Sequence, residues 1–332
     1  MKQFKLAFIG AGNRANQVHY PAFADLPDVS IAAVCDIDPS RLKDTADRYG
    51  VAPEARYGDS VYAYRDMLRD IKPDGVAAIG NPEEMINIWR WCLENGFNLY
   101  IEKPMGLSLH QAQVLEALAR RNGCVAAVAL QRRATPVVMK LRDECMKRGP
   151  ITHAMVRFYK CAPSDFLESR DHMMDDCVHS IDTLRWVCGG EAVRVSSVTR
   201  RVNTVDINYI SATIEFNNGA LGYLINSWTS GRRVFDIEMH APGVCAEAEH
   251  ETGGTLFADG DTKGVCYSAA DCAGDERFEV YTGVKNLARD FIDCCRDRTR
   301  TPIAGFASTL KTMELAETIL AQSILREKGF KE

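Results

Sequence analysis

A chain of 332 residues is long enough for two domains, each with its own core, and 46% hydrophobic with 26% charged residues is ordinary for a globular protein. A net charge of −5 gives no basic footprint for nucleic acid or an anionic membrane, and no apolar run approaches the length that spans a bilayer. The 12 cysteines form no C-x-x-C pair, so most of them read as small buried hydrophobes of a reducing cytoplasm rather than as disulfides or a zinc site.

The first element is an apolar strand, Lys5 to Ile9, running into Gly10-Ala11-Gly12-Asn13-Arg14-Ala15 and then a helix. The opening apolar run is too short for a secretory signal. A second apolar run, Ser30 to Cys35, ends on Asp36. This G-x-G-x-x-A pattern after a strand, with one acid about twenty residues later, is the order that a dinucleotide-binding βαβ unit requires. Gly10 serves the tight turn, Gly12 lets backbone approach a pyrophosphate, and Ala15 keeps the helix close to the sheet. The helix start, with Asn13 and Arg14, offers N–H groups and partial positive charge to the phosphates. Asp36 suits the ribose hydroxyls of NAD and repels a 2′-phosphate, while Arg41 is the nearby cation that would favour NADP.

Helices over 39–49, 61–70, 82–94 and 108–121 then alternate with strands over 75–79, 97–101 and 125–130. This alternation predicts a parallel, doubly wound sheet over residues 1–130, with ligands at the carboxyl ends of its strands. Asn81 follows one such strand and Glu102-Lys103-Pro104 follows the next. Lys103 at that end can hydrogen-bond a substrate hydroxyl or a developing alkoxide; a surface lysine in a proline turn is the plainer reading. The peptide before Pro104 is a candidate for the cis form.

Residues 131–332 change rhythm. Gln131-Arg132-Arg133 offers either substrate anchors or ion pairs. A helix over 135–148 ends at Gly149-Pro150, and another over 176–188 ends at Gly189-Gly190. Strands follow over 193–202, 208–216, 219–228 and 233–240, with Asn218-Gly219 as a hairpin signal. The 219–228 strand is apolar on both sides, with Leu221, Tyr223 and Ile225 opposite Leu224 and Trp228. Helices can cover one face and a second subunit the other, so an oligomer is expected. Helices over 284–297 and 306–327 close the chain.

Within 175–188 two stripes separate at helical spacing: Cys177, Ile181, Leu184 and Cys188, and roughly opposite them Asp175, His179, Asp182 and Trp186. Asp175, one turn before His179, can fix the imidazole tautomer and raise its basicity, as a general base needs. The same residues fit a second reading, in which Asp175 or Asp176 caps the helix and His179 and Asp182 lie on a solvated face. A metal held by His172, Asp175 or Asp176, and His179 is not expected, because no further Cys/His cluster adjoins and a dinucleotide already supplies an electrophile.

Taken together, Gly10-x-Gly12-x-x-Ala15, Asp36, Glu102-Lys103-Pro104 and Asp175-x-x-x-His179-x-x-Asp182 resemble the Gfo/Idh/MocA oxidoreductases, over essentially the whole chain. The resemblance implies an N-terminal Rossmann domain (residues 1–130) and a C-terminal α/β domain (131–332) on a large, mostly antiparallel open sheet. It also implies homodimers or homotetramers packed through that sheet. The implied activity is NAD-dependent hydride transfer involving a hydroxyl carbon of a sugar, sugar acid or cyclitol. By the same resemblance Lys103 positions the reacting hydroxyl, His179 takes its proton, Asp175 orients His179 and Asp182 binds a substrate hydroxyl. Glu102 and Lys103 adjoin the cofactor, and Arg132, Arg157, Lys160, Trp228 and Arg232 are the residues expected to read the substrate. Two alternatives stay open: glycoside cleavage by transient oxidation and elimination, and a non-catalytic NAD-binding sensor. The chain departs from its relatives at Gly80-Asn81-Pro82 with Met85, where Thr-Pro-Asn and a nearby His are common, and at Cys177, where Gly is usual.

Overall fold

Short apolar runs make the first sheet of the computed structural model, which describes residues 2–162 and 171–328. These are β1 (Phe4–Ile9), β2 (Val29–Cys35), β3 (Arg56–Tyr57), β4 (Gly75–Ala78), β5 (Leu99–Ile101) and β6 (Ala126–Val128). They pair in the order β3-β2-β1-β4-β5-β6, every neighbour parallel. Every residue of β4 and β5 is buried, which is why these strands show no polar alternation. The crossovers are α1 (Tyr20–Ala24), α2 (Pro39–Arg48), α3 (Ala63–Ile71), α4 (Pro82–Glu94) and α5 (Leu109–Arg121). A π segment, Ala15–His19, leads into α1. Helix α2 begins where the Asp38 carboxylate accepts from the Ser40 and Arg41 N–H groups with Pro39 in the first turn. The doubly wound parallel sheet is the one the alternation predicts.

The second unit contains α6 (Pro136–Met146), β7 (His153–Cys161), α7 (Val178–Cys188), β8 (Ala192–Arg200), β9 (Tyr209–Phe216), β10 (Leu221–Ser227), β11 (Thr229–Ala241), β12 (Val244–Glu249), β13 (Gly253–Ala258), β14 (Val265–Ser268) and α8 (Ala269–Ala273). Its sheet runs β14-β13-β12-β11-β7-β10-β9-β8, antiparallel except where β7 meets β10. The strand predictions omit β7, its central strand, and all of β12 to β14. The signal in β7 was legible: buried Ala154, Val156 and Phe158 alternate with half-buried His153, Met155, Arg157 and Tyr159. In β13 the pair Gly253-Gly254 hides the strand pattern. Helices α6 and α7 cover one face, where Leu141 approaches Gly254 and Leu184 approaches Gly222. On the other face Tyr223 and Ile225 remain half-buried and Leu221 is exposed.

The chain then goes back. Residues Met1–Gln131 and Phe278–Ser308 form one compact unit, and Arg132–Arg277 with Thr309–Glu332 the other. A linear division at 130/131 is therefore corrected: α9 (Phe278–Tyr281) and α10 (Val284–Arg296) belong to the first unit, and α11 (Phe306–Glu327) joins the second from Thr309 onward. Helix α10 buries Leu287, Ala288, Phe291 and Ile292, and beyond it the Ala304 carbonyl accepts from the N–H of Val128 on edge strand β6. Arg296 and Arg289 both bind the carboxylate of Asp28. These two guanidiniums, Arg296 foremost, pull the Asp28 carboxyl from its ordinary 3.8 down to about 2. A depressed folded value means that its stabilisation is complete above the unfolded value and is lost as pH falls through the folded one. Stability against urea is therefore expected to decline between pH ~4 and ~2 in part through this group, and Asp28→Asn should flatten that stretch of the curve. An unchanged acid limb in the variant would contradict the assignment.

Candidate active site

At the carboxyl ends of β1 and β2, the Gly-rich turn and Asp36 are tied together. The Ala11 N–H donates to Asp36 Oδ2 at 2.6 Å and the Asp38 N–H to Oδ1 at 2.8 Å. A carboxylate oxygen accepts about two hydrogen bonds, so each retains capacity for a ribose hydroxyl. Gly10 is required twice over, by its φ of +98° and by the Ile79 carbonyl oxygen, which a Cβ would meet at 1.9 Å. Gly12 is different: a Cβ there would meet nothing within 4 Å. What Gly12 contributes is open space over the turn, of the kind a pyrophosphate needs. Gly12→Ala is accordingly expected to keep the fold within ~1 kcal/mol while raising the Kd for NAD by at least about tenfold, ~1.4 kcal/mol, in a calorimetric titration. Equal affinity in both proteins would refute this use of the space.

The turn has buried support that the motif does not reveal. Asn16 donates to the Ala11 carbonyl at 2.8 Å and to Thr45 Oγ1 at 2.9 Å, and the Tyr20 hydroxyl reaches the Gly10 carbonyl at 3.3 Å. Ala15 is buried, while Asn13 and Arg14 are exposed at the start of the helix. Arg41 is exposed and pairs with Asp38 at 3.5 Å. Asn81 is exposed at the N-cap of α4, where its side chain makes no capping bond. Next to it the departures Gly80 and Met85 explain each other, since a Cβ on Gly80 would strike Met85 Cε at 2.4 Å.

Glu102, expected beside the cofactor, is a buried anchor. It accepts from His19 Nε2 at 2.7 Å, from Arg14 Nε at 2.9 Å and, through Oε2, from the Lys103 N–H at 2.9 Å. Burial by itself would raise its pKa, but the hydrogen bond and charge of His19, then Arg14, outweigh that and hold the carboxyl well below the ordinary range. The anchored group fixes the backbone at half-buried Lys103, at the carboxyl end of β5, where Lys103 and Pro104 are joined by a cis peptide.

In the second unit, α7 is preceded by a π segment, Met173–Cys177, that carries Asp175. Such segments occur often at functional sites. His179 lies one helical turn further on and is 7% exposed. The solvated-face reading is thus excluded: α7 is buried nearly all round, with Asp182 at 1% exposure and Trp186 half-buried. Ser180 donates to Asn226 on β10 at 2.9 Å, and the Thr183 hydroxyl to the His179 carbonyl at 2.7 Å. The first contact fixes the rotation of the helix on the sheet, and the second stays within α7.

Residues 4–130 match the family model for the oxidoreductase family with an NAD-binding Rossmann fold, and residues 147–243 match the GFO/IDH/MocA C-terminal domain. The chain belongs to the Gfo/Idh/MocA oxidoreductase family. It is similar to D-glucoside 3-dehydrogenase of Escherichia coli (strain K12), with 27% identity over 280 residues, 76% of this chain and 77% of that one. It is also similar to scyllo-inositol 2-dehydrogenase (NAD(+)) of Bacillus subtilis (strain 168), with 24% identity over 239 residues, 69% and 68% of the two chains. The crystal structure of a dehydrogenase from Chromobacterium violaceum shares the fold, with a TM-score of 0.85 at 20% identity over 99% of this chain and 97% of that one.

Several residues expected to read the substrate of this Gfo/Idh/MocA protein have other work. Asp182 is in a buried ion pair: Arg133 Nε donates to its Oδ2 at 2.6 Å, Arg133 also reaches Oδ1, and Thr312 donates to Oδ1 at 2.7 Å. Trp228 is buried with its indole N–H on Asp176 Oδ2 at 3.0 Å. Arg157 pairs with Asp236 at 3.0 Å, on the sheet face away from α7. Arg232 is exposed. Arg132 is buried with its guanidinium 4.0 Å over the Phe235 ring and 5.6 Å from that of Phe158, on the α7 side of the sheet. Among the described residues no group of three or more His, Cys, Asp or Glu side chains is arranged to hold a metal.

Proposed function

We propose that this protein is an NAD-dependent dehydrogenase acting on a hydroxyl carbon of a sugar, sugar acid or cyclitol. What carries the reading furthest is Asp36, an acid with acceptor capacity at the Gly-rich turn, beside the open space of Gly12. An acid there binds ribose hydroxyls and repels a 2′-phosphate, which favours NAD over NADP, and Asp38 beside Arg41 adds to that preference. The relatives' substrates, scyllo-inositol and D-glucoside, support the polyol class.

NAD, when bound, supplies the hydride acceptor. Gly12 and the N–H groups at the helix start would face its pyrophosphate and Asp36 its ribose. Lys103 donates a hydrogen bond to the reacting hydroxyl and stabilises negative charge developing on that oxygen. His179 takes the hydroxyl proton, and the Asp175 carboxylate orients the imidazole and stabilises its protonated form. The test is NADH absorbance on mixing the protein with NAD or NADP and a panel of aldoses, sugar acids and cyclitols. Growth with one member, faster with NAD, supports the reading; a flat panel with NAD demonstrably bound points to transient-redox elimination or to a sensor.

We propose in addition that a second copy of the chain covers the sheet face bearing Leu221, Tyr223 and Ile225, which one chain leaves partly open. Sedimentation should then show a dimer or tetramer, and a monomer at micromolar concentration would contradict it. No described helix is long and apolar enough to cross a membrane.

A further inference from the structure

The sequence places two aspartates side by side, and the structure shows what one of them does. Consecutive residues of a helical turn point in clearly different directions, so Asp175 and Asp176 face different surroundings. Asp176, nearly buried, turns to the sheet, where its Oδ2 accepts both the Trp228 indole N–H at 3.0 Å and the Lys160 ammonium. Lys160 lies on β7, and Trp228 is the single residue between β10 and β11. Tyr159 of β7 pairs with Ser227 of β10, and the Ala162 N–H then reaches the Trp228 carbonyl at 2.9 Å. On the other flank, buried His172 stacks on the Trp228 ring at 4.4 Å and 21°. The π segment Met173–Cys177 is therefore gripped at its start through His172 and near its end through Asp176, with Asp175 held between the two grips.

We propose that Asp176, with Lys160 and Trp228, is a positioning residue that sets the π segment so that Asp175 addresses His179. The inference rests on the Asp175–His179 role proposed above. A charged pair costs desolvation that an apolar contact would avoid, and here that cost secures one orientation of the segment. The clamp acts on chemistry only through Asp175. Misplacement of a catalytic group by about an ångström costs on the order of a hundredfold in rate.

The tautomer of His179 reads this out without any substrate. In full-length protein labelled with 15N-histidine, the His179 signals are assigned by their loss in His179→Gln. The wild type is expected to show one neutral tautomer, set by the Asp175 hydrogen bond. Trp228→Phe, which removes the indole N–H but keeps a ring for His172, and Asp176→Asn are both expected to give a mixture of tautomers. With a substrate from the panel, kcat should fall about 10- to 100-fold in each while KM stays within about threefold. Asp175→Asn should give the mixture unaided, and adding Trp228→Phe to it should change nothing further. The clamp is refuted if Trp228→Phe keeps the wild-type tautomer and kcat, or if its effect is undiminished in the Asp175→Asn background. If Asp176→Asn does not fold, Trp228→Phe decides. A single unchanged tautomer in Asp175→Asn would overturn the Asp175–His179 role itself, a failure separable from that of the clamp.

Discussion

Replacing His179 by alanine is expected to lower kcat by roughly 10²- to 10⁴-fold, the usual loss when a positioned general base is removed. The bond that seats α7 on the sheet, from Ser180 to Asn226, does not use the imidazole. Secondary structure and melting should therefore change little. The residues proposed for NAD, Gly12 and Asp36, belong to the first compact unit and His179 to the second. NAD affinity should accordingly stay within about twofold, a difference of ~0.4 kcal/mol. Calorimetry and steady-state rates on the same preparation check both halves. A variant that keeps wild-type turnover would remove His179 from the chemistry.

The second large effect is on stability. Asp182 and Arg133 are both buried, joined by two hydrogen bonds, and Thr312 of α11 donates to the same carboxylate. Asp182→Ala leaves the Arg133 cation buried without that carboxylate, which costs about 3–5 kcal/mol for pairs of this kind. Urea unfolding followed by fluorescence should register the loss. Replacing both partners at once, Asp182→Leu with Arg133→Met, removes the buried charge together with its partner and should recover most of the stability. A single variant as stable as the wild type would mean that Asp182 is accessible to other partners, as the substrate-binding role would need.

The first half of the fold was legible because its signals are local. The Gly10-to-Ala15 turn, Asp36, the Asp38–Pro39 helix start and the unbroken apolar strands each declare themselves within a few residues. The second half depends on pairings far apart in sequence. Arg133 and Asp182 are 49 residues apart, and Trp228 and Asp176 are 52 apart, so no periodicity links them. A helix buried on every side also looks amphipathic in sequence when its polar residues are satisfied internally, which is how Asp182 reads as exposed on a stripe. Glu102 shows the same limit. Its place after β5 was legible, but its role as the buried partner of His19 and Arg14 required the fold. The return of α10 to the first unit has no local signal beyond its apolar face.

The most direct test of the dehydrogenase reading follows the transferred hydrogen. A panel substrate carrying deuterium at its reacting carbinol carbon is incubated with protein and NAD, and the nicotinamide is recovered for NMR. Deuterium at C4 of reduced nicotinamide in the wild type, absent with His179→Ala, is the predicted result. Cofactor recovered oxidised and unlabelled while substrate is consumed would contradict net hydride transfer.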